Sequence, residues 1–235
     1  MKKVICFLGV VIPFFLSSQA LSGTLGDINA DGRIDLQEAI YALQVVAGIR
    51  PALTIIDVAS YANFHGKWIY HNTEADYETP SVEVIGTGIK NGKEVYILQE
   101  YDPEGYPNDQ SYYFADMSIG LYSSGGINNY QDPDQEIFYW NPGMPYLLAS
   151  FVPGKGYPFQ STNSSDNSIV NGTISIESES VTVPAGTFTD CYKVTLSGSH
   201  GGENFTFYRW YAKNIGLVKR VGFGGGTWEL TSYIP

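Results

Sequence analysis

The chain predicts a mainly β protein, an antiparallel meander forming a sandwich or half-open barrel, with a small loop-and-helix module at its N-terminal end. Three observations carry this expectation. From about residue 64 apolar side chains alternate along short runs, clusters of Gly, Pro, Asn, Asp and Ser separate the runs, and no helical stretch among them is long enough for a crossover. Composition agrees: 43% of the 235 residues are hydrophobic and 14% aromatic, enough for one sizeable core and unlike a disordered chain. Charge narrows the partners. With 13 Lys and Arg against 24 Asp and Glu, no basic surface is available for nucleic-acid phosphates, and an anionic membrane surface repels the chain.

Residues 1–20 read as a signal peptide. Lys2 and Lys3 precede an apolar run from Val4 to Leu16, and Ser17, Ser18, Gln19 and Ala20 form a small-residue cleavage region. The run is short for a membrane span. A secreted protein, extracellular or periplasmic, is therefore expected, with no membrane span. Removing both lysines leaves 11 basic residues against 24 acidic ones, a net charge of -13. Cys6 leaves with the peptide, so Cys191 stands alone and is expected to be a small buried apolar residue.

Residues 21–51 form the next unit. From Asp27 the chain fits D-x-[DN]-x-[DN]-G-x5-E without mismatch. Asp27, Asn29 and Asp31 converge three oxygen side chains, Gly32 permits the sharp turn, and the Arg33 carbonyl supplies another oxygen. Asp35 can ligate directly or through water, and Glu38 can ligate with both oxygens. Six or seven hard oxygens suit Ca2+, whereas zinc favours His or Cys. The rival reading is an acidic turn that caps a helix. That helix follows at once, with Leu36, Ile40, Leu43 and Ala47 at helical spacing, Gly48 as a stop and Pro51 beyond it. Its apolar stripe is expected to be buried.

Gly26 to Pro51 resembles a dockerin-type repeat, an EF-hand-like loop with its exiting helix. The resemblance implies calcium ligation by Asp27, Asn29, Asp31, Arg33, Asp35 and Glu38, and opens an alternative function: attachment of a polysaccharide-degrading component, with a cohesin-like protein or polysaccharide as partner. Only one repeat is present, and Leu36 and Gln37 stand where partner-recognition positions often carry hydroxyl residues.

Residues 52–63 are expected to be a linker and 64–235 the β domain. Asn91-Gly92 predicts a hairpin between Val82–Ile89 and Glu94–Tyr101. Further strands are expected at 112–115, 119–122, 137–140, 147–152, 168–176, 188–196, 205–212, 215–221 and 228–234, with a mobile loop over 153–167. Val183 to Val194 and Tyr208 to Lys219 resemble segments of secreted bacterial β-domains that are similar to the half-barrels of lipoprotein carriers. This implies a curved sheet and, as a further alternative, a carrier of a lipid-like ligand.

No catalytic motif stands out, so the protein is expected not to be an enzyme. No Gly-x-Ser-x-Gly elbow is present, and His65, His71 and His200 read as polar strand or turn residues. Glu83, Glu94, Glu100, Asp116 and Glu136 could supply a facing carboxylate pair, which 24 acids make uninformative. Tyr112, Tyr113, Tyr130, Tyr139, Trp140 and Tyr146 read as core first and as a sugar- or lipid-binding platform second. The expectation is therefore a secreted, non-enzymatic calcium-binding protein with a β domain that binds something or serves structurally.

Overall fold

The computed structural model describes residues 33–73, 81–128, 136–222 and 226–235. In chain order its elements are α1 (Leu36–Val46), β1 (Thr54–Ile55), α2 (Val58–Ala62), β2 (Lys67–Asn72), β3 (Ser81–Lys90), β4 (Lys93–Tyr101), β5 (Pro107–Asp116) and β6 (Gly120–Asn128), followed by β7 (Glu136–Leu148), β8 (Ser150–Phe151), β9 (Tyr157–Asn163) and β10 (Ile169–Ser178). The chain ends in β11 (Val181–Val183), β12 (Gly186–Phe188), β13 (Cys191–His200), β14 (Glu203–Ala212), β15 (Gly216–Val221) and β16 (Thr227–Ile234).

Twelve of these strands close into one antiparallel barrel in the order β10-β13-β14-β15-β16-β2-β3-β4-β5-β6-β7-β9. The expected antiparallel meander is present; the sandwich and the half-open barrel give way to closure. The strand that closes it is β9, within the stretch expected to be a loop. It pairs with β10 over six positions and with β7 over two. Tyr157, Phe159 and Ser161 alternate inward along β9, but Pro158, Gln160 and the surrounding Gly, Ser and Asn hide that period in the sequence. Closure leaves the barrel without an open sheet edge.

Turn chemistry sets the register. Asn91 and Gly92 both have positive φ, as a two-residue hairpin turn requires, and they place Lys90 opposite Lys93. Gly201 and Gly202 do the same between His200 and Glu203. The main core lies inside the barrel, where Leu147, Ile174, Ile176, Val194 and Leu196 are almost wholly buried. Full burial of each such side chain is worth about 1.5–3 kcal/mol. Tyr192, Val194 and Leu196 face this core as the alternation predicts. Phe188 instead belongs to a second cluster, in which the β11–β12 hairpin brings Val181 and Val183 to Cys191 and Trp210.

The segment 52–63 carries structure of its own. β1 pairs with β8, and α2 is capped by Asp57, whose side chain accepts from the Ala59 N–H. Ile56, Val58, Tyr61, Ala62 and Phe64 are buried in the barrel core, with Phe64 stacked on Tyr96 at 3.9 Å between ring centroids. α2 touches β5, β6, β14 and β15, strands from different parts of the wall, so it plugs one end of the barrel.

α1 has the expected span, with Ala47 as C-cap and Gly48 at φ +69° beyond it. Its orientation differs from expectation. Glu38 and Tyr41 are the buried residues, while Leu36 and Leu43 are 72% and 69% exposed. The Tyr41 hydroxyl donates to the Pro51 carbonyl, and this contact turns the opposite face outward.

Candidate functional site

An eight-stranded barrel is just filled by its own side chains, and a wider one leaves space. Here α2 fills one end. The chain direction puts the other end at the tips of β6, β9, β13 and β14, where Asn128, Asn163, His200 and Glu203 stand. These four polar residues border a cavity of about 430 Å³ whose remaining lining is Phe138, Trp140, Met144, Val170, Phe205 and Phe207. That volume lies in the range of small-molecule sites.

The cavity follows from strand alternation. On β14, Phe205 and Phe207 face it, and the next inward positions are Arg209 and Tyr211; on β7, Met144 faces it and Tyr146 follows. Arg209 packs its guanidinium 3.8 Å over the Tyr146 ring and 6.0 Å from the Phe207 ring. Among the described residues its Nη1 is buried without a hydrogen-bond partner and no ion pair includes it. Burial opposes its charge, but the hydroxyls of Tyr146, Tyr211 and Tyr113 outweigh that effect, and the guanidinium is held charged. The same burial pushes Tyr113 and Tyr211 well above the ordinary phenol range.

Beyond Arg209 a smaller void of about 70 Å³ is lined by Tyr113, Tyr211, Trp68, Tyr70, Glu100 and Arg220 among others. Its charges are matched: Arg220 pairs with Glu100 at 3.2 Å and lies 4.2 Å over Trp228. Tyr70 and Trp68 are tied down as well, the Tyr70 hydroxyl donating to the Leu217 carbonyl and the Trp68 indole to that of Ile215. Arg209 therefore stands between a roomy cavity and a small void whose own charges are already matched.

Of the expected calcium ligands, Asp27, Asn29 and Asp31 lie outside the described residues. Arg33 is exposed, and Asp35 and Glu38 come together as a capping box: the Asp35 side chain accepts from the Gln37 N–H, and Glu38 Oε2 accepts from the Asp35 N–H at 2.9 Å. Glu38 Oε1 is buried without a partner among the described residues. Among the described residues no group of three or more His, Cys, Asp or Glu is placed to hold a metal.

The other candidates scatter. His65, His71 and His200 are exposed, and the Ser168 hydroxyl meets His200 Nε2 at 2.6 Å. Glu100 faces the interior but is ion-paired, while Asp116 sits in the β5–β6 turn, where Ser118 donates to it. The aromatic set divides between the two faces of the wall. Tyr113, Trp140 and Tyr146 pack into the interior; Tyr112 and Tyr139 form a separate cluster with Val95 and Ile127, under the Lys90 ammonium. Tyr130 lies outside the described residues. Sequence reasoning missed Arg209, although a signal was present: Phe205-x-Phe207-x-Arg209-x-Tyr211 puts one charge on an otherwise aromatic face.

Fold and site thus define an antiparallel barrel with a plugged end and an apolar cavity. A family model described as DUF3108-like matches residues 160–227, within the C-terminal half of the barrel. Similar solved structures include a candidate lipoprotein from Parabacteroides distasonis, with 14% identity, TM-score 0.36 and coverage of 74% of this chain and 97% of the other. Another is a candidate exported protein with a YmcC-like fold from Bacteroides fragilis, with 15% identity, TM-score 0.38 and coverage of 74% and 98%. No curated protein matches the chain. The family match corrects the reading of residues 26–51: it falls in the barrel, nothing dockerin-like or EF-hand-like accompanies it, and the dockerin assignment with its cohesin-like partner is set aside. No helix among the described residues is long and apolar enough to cross a membrane.

Proposed function

We propose that this protein is an exported, non-catalytic binding protein whose barrel shelters a small apolar or amphipathic molecule. The observation that carries the reading is the cavity of about 430 Å³, walled by six apolar side chains and bordered at its outer end by four polar ones. A filled barrel would have argued for a purely structural role. Export is supported by the lysine-led apolar run of residues 1–20 and by the descriptions of the two structural relatives.

The test is a titration of the protein, lacking residues 1–20 and stripped of bound molecules, with a neutral fluorescent apolar probe. Saturable binding that weakens at least tenfold in Met144→Trp, with the thermal transition retained, is the expected result. Binding unaffected by Met144→Trp and by a second filling variant, Val170→Trp, overturns the cavity as the site.

Calcium is a second reading, favoured by Glu38, whose buried Oε1 lacks a donor among the described residues while Asp35 and Glu38 already meet at the end of an oxygen-rich segment. A cation bound by Asp27, Asn29, Asp31, the Arg33 carbonyl, Asp35 and Glu38 would supply that missing partner. Calorimetry should detect calcium uptake that Asp27→Ala with Glu38→Gln abolishes; absence of uptake by the unmodified chain removes this reading.

A further inference from the structure

We infer that the cavity takes its ligand head-first, with an anionic head group seated on Arg209 and an apolar body lying among Phe205, Phe207, Trp140 and Met144. This rests on the reading of the cavity as a binding site and adds to it the chemistry of the ligand's polar end.

An unpaired guanidinium inside a protein loses its hydration, and several kcal/mol are normally recovered only through an anionic partner with matched hydrogen bonds. Arg220, its neighbour in the barrel, has Glu100 as such a partner. Arg209 has no anionic partner among the described residues: its Nη1 is buried and unpartnered, and its companions are tyrosines, with the Tyr146 hydroxyl as a neutral hydrogen-bond partner. Aromatic faces offset part of the cost but leave N–H donors unused. A planar guanidinium with an unused Nη1 beside an apolar cavity is chemically complementary to a carboxylate or a phosphate, the groups that its fork of donors matches.

Orientation follows from the opposite end. Among the residues lining the cavity, the ionisable ones are His200 and Glu203, both at the mouth, so the mouth does not attract an anion. The inner end does. Between the two, six apolar side chains offer nothing for a head group and much for a hydrocarbon chain. The spacing fits as well, because Phe207 lines the cavity and Arg209 is the next inward residue of the same strand, with ring and guanidinium 6.0 Å apart. Tyr113, whose burial keeps it protonated, stays available as a hydroxyl donor to the same anion.

The experiment compares dodecanoic acid, dodecyl phosphate and dodecan-1-ol as displacers of the neutral probe from the stripped protein. The three share one apolar body. Charge-assisted hydrogen bonds to a buried guanidinium predict that at least one acid binds on the order of tenfold or more tighter than the alcohol, and the better acid tells carboxylate from phosphate. Arg209→Gln should bring the acids down to the alcohol's affinity while leaving the alcohol unchanged, and Arg209→Lys should keep part of the preference. Equal affinity for acid and alcohol in the unmodified protein, a comparison that needs no variant, overturns the head-group assignment and leaves the cavity reading standing. Failure of all three, and of the probe, overturns both. A merely structural Arg209 predicts a different pattern: a lower melting temperature in Arg209→Gln with the acid preference intact.

Discussion

At the scale of single residues, the barrel is held by a few positions where only one residue type works. Gly125 sits at the irregularity where β6 shifts register against β7, at φ +141°, and a Cβ there would lie 2.2 Å from the Phe138 carbonyl oxygen. The backbone conformation and the contact both exclude a side chain. Gly105, in the β4–β5 turn, shares positive φ but has open space around it. Gly125→Ala is expected to cost about 2 kcal/mol or more, and Gly105→Ala about 1 kcal/mol, the conformational part alone. Urea midpoints of the two variants check this, and equal losses would show that the Phe138 contact can relax. Cys191 gives a second prediction at this scale. It is 1% exposed, and burial, then Asp190 and Glu179, push its thiol up to about 11. It should resist a thiol reagent near neutral pH until the protein is unfolded, since the thiolate is the reactive form; rapid labelling of the folded protein would contradict this.

At the scale of elements, what the sequence made legible depended on how strongly each segment states its period. The Asn91-Gly92 hairpin, the α1 boundaries and the alternation of Tyr192, Val194 and Leu196 were readable, because turn residues and apolar spacing act locally. Three features were not. β9 was hidden because Pro158 and Ser161 do not look like strand residues, yet Ser161 is fully buried and its hydroxyl donates to the Pro142 carbonyl. α2 is too short to show a helical period, and its burial depends on walls far away in sequence. α1 turned over because Tyr41 and its partner Pro51 outweighed the Leu36–Leu43 stripe, a contact no periodicity encodes. The β7–β9 seam therefore carries its own prediction. Two register pairs hold it, against nine between β10 and β13, with the Ser161 hydroxyl adding one bond to the Pro142 carbonyl and Ser164 one bond to the Tyr139 carbonyl and one from the Tyr139 N–H. Hydrogen exchange should be faster across residues 139–142 and 161–164 than in β10 and β13. Trp140 and Asn163 pair across the seam and also line the cavity, so bound probe should slow that exchange. Uniform protection around the barrel would refute the weak seam.

For the whole molecule, the aromatic content that first marked a large core also sets its response to base. Burial raises Tyr70, Tyr113 and Tyr211 far above the ordinary 10.0, raises Tyr61 and Tyr122 to about 12, and raises Cys191 from 9.0 to about 11. Each group stays protonated in the barrel at a pH where the unfolded chain has already lost the proton. The folded state then binds more protons than the unfolded one, so unfolding becomes easier as pH rises, by about 1.4 kcal/mol per pH unit for each fully buried phenol. The loss begins above about pH 9 with the thiol and steepens above pH 10 with the phenols. Ionisation also adds negative charge to a chain already at -11, which compounds the effect. Melting temperatures should therefore be nearly level from neutral pH to about pH 9 and fall steeply beyond it, and tyrosinate absorbance should rise together with unfolding. If the buried tyrosines instead titrate smoothly near 10 in protein that is still folded, the interior is wetter than this barrel allows, and the desolvated setting inferred for Arg209 fails with it.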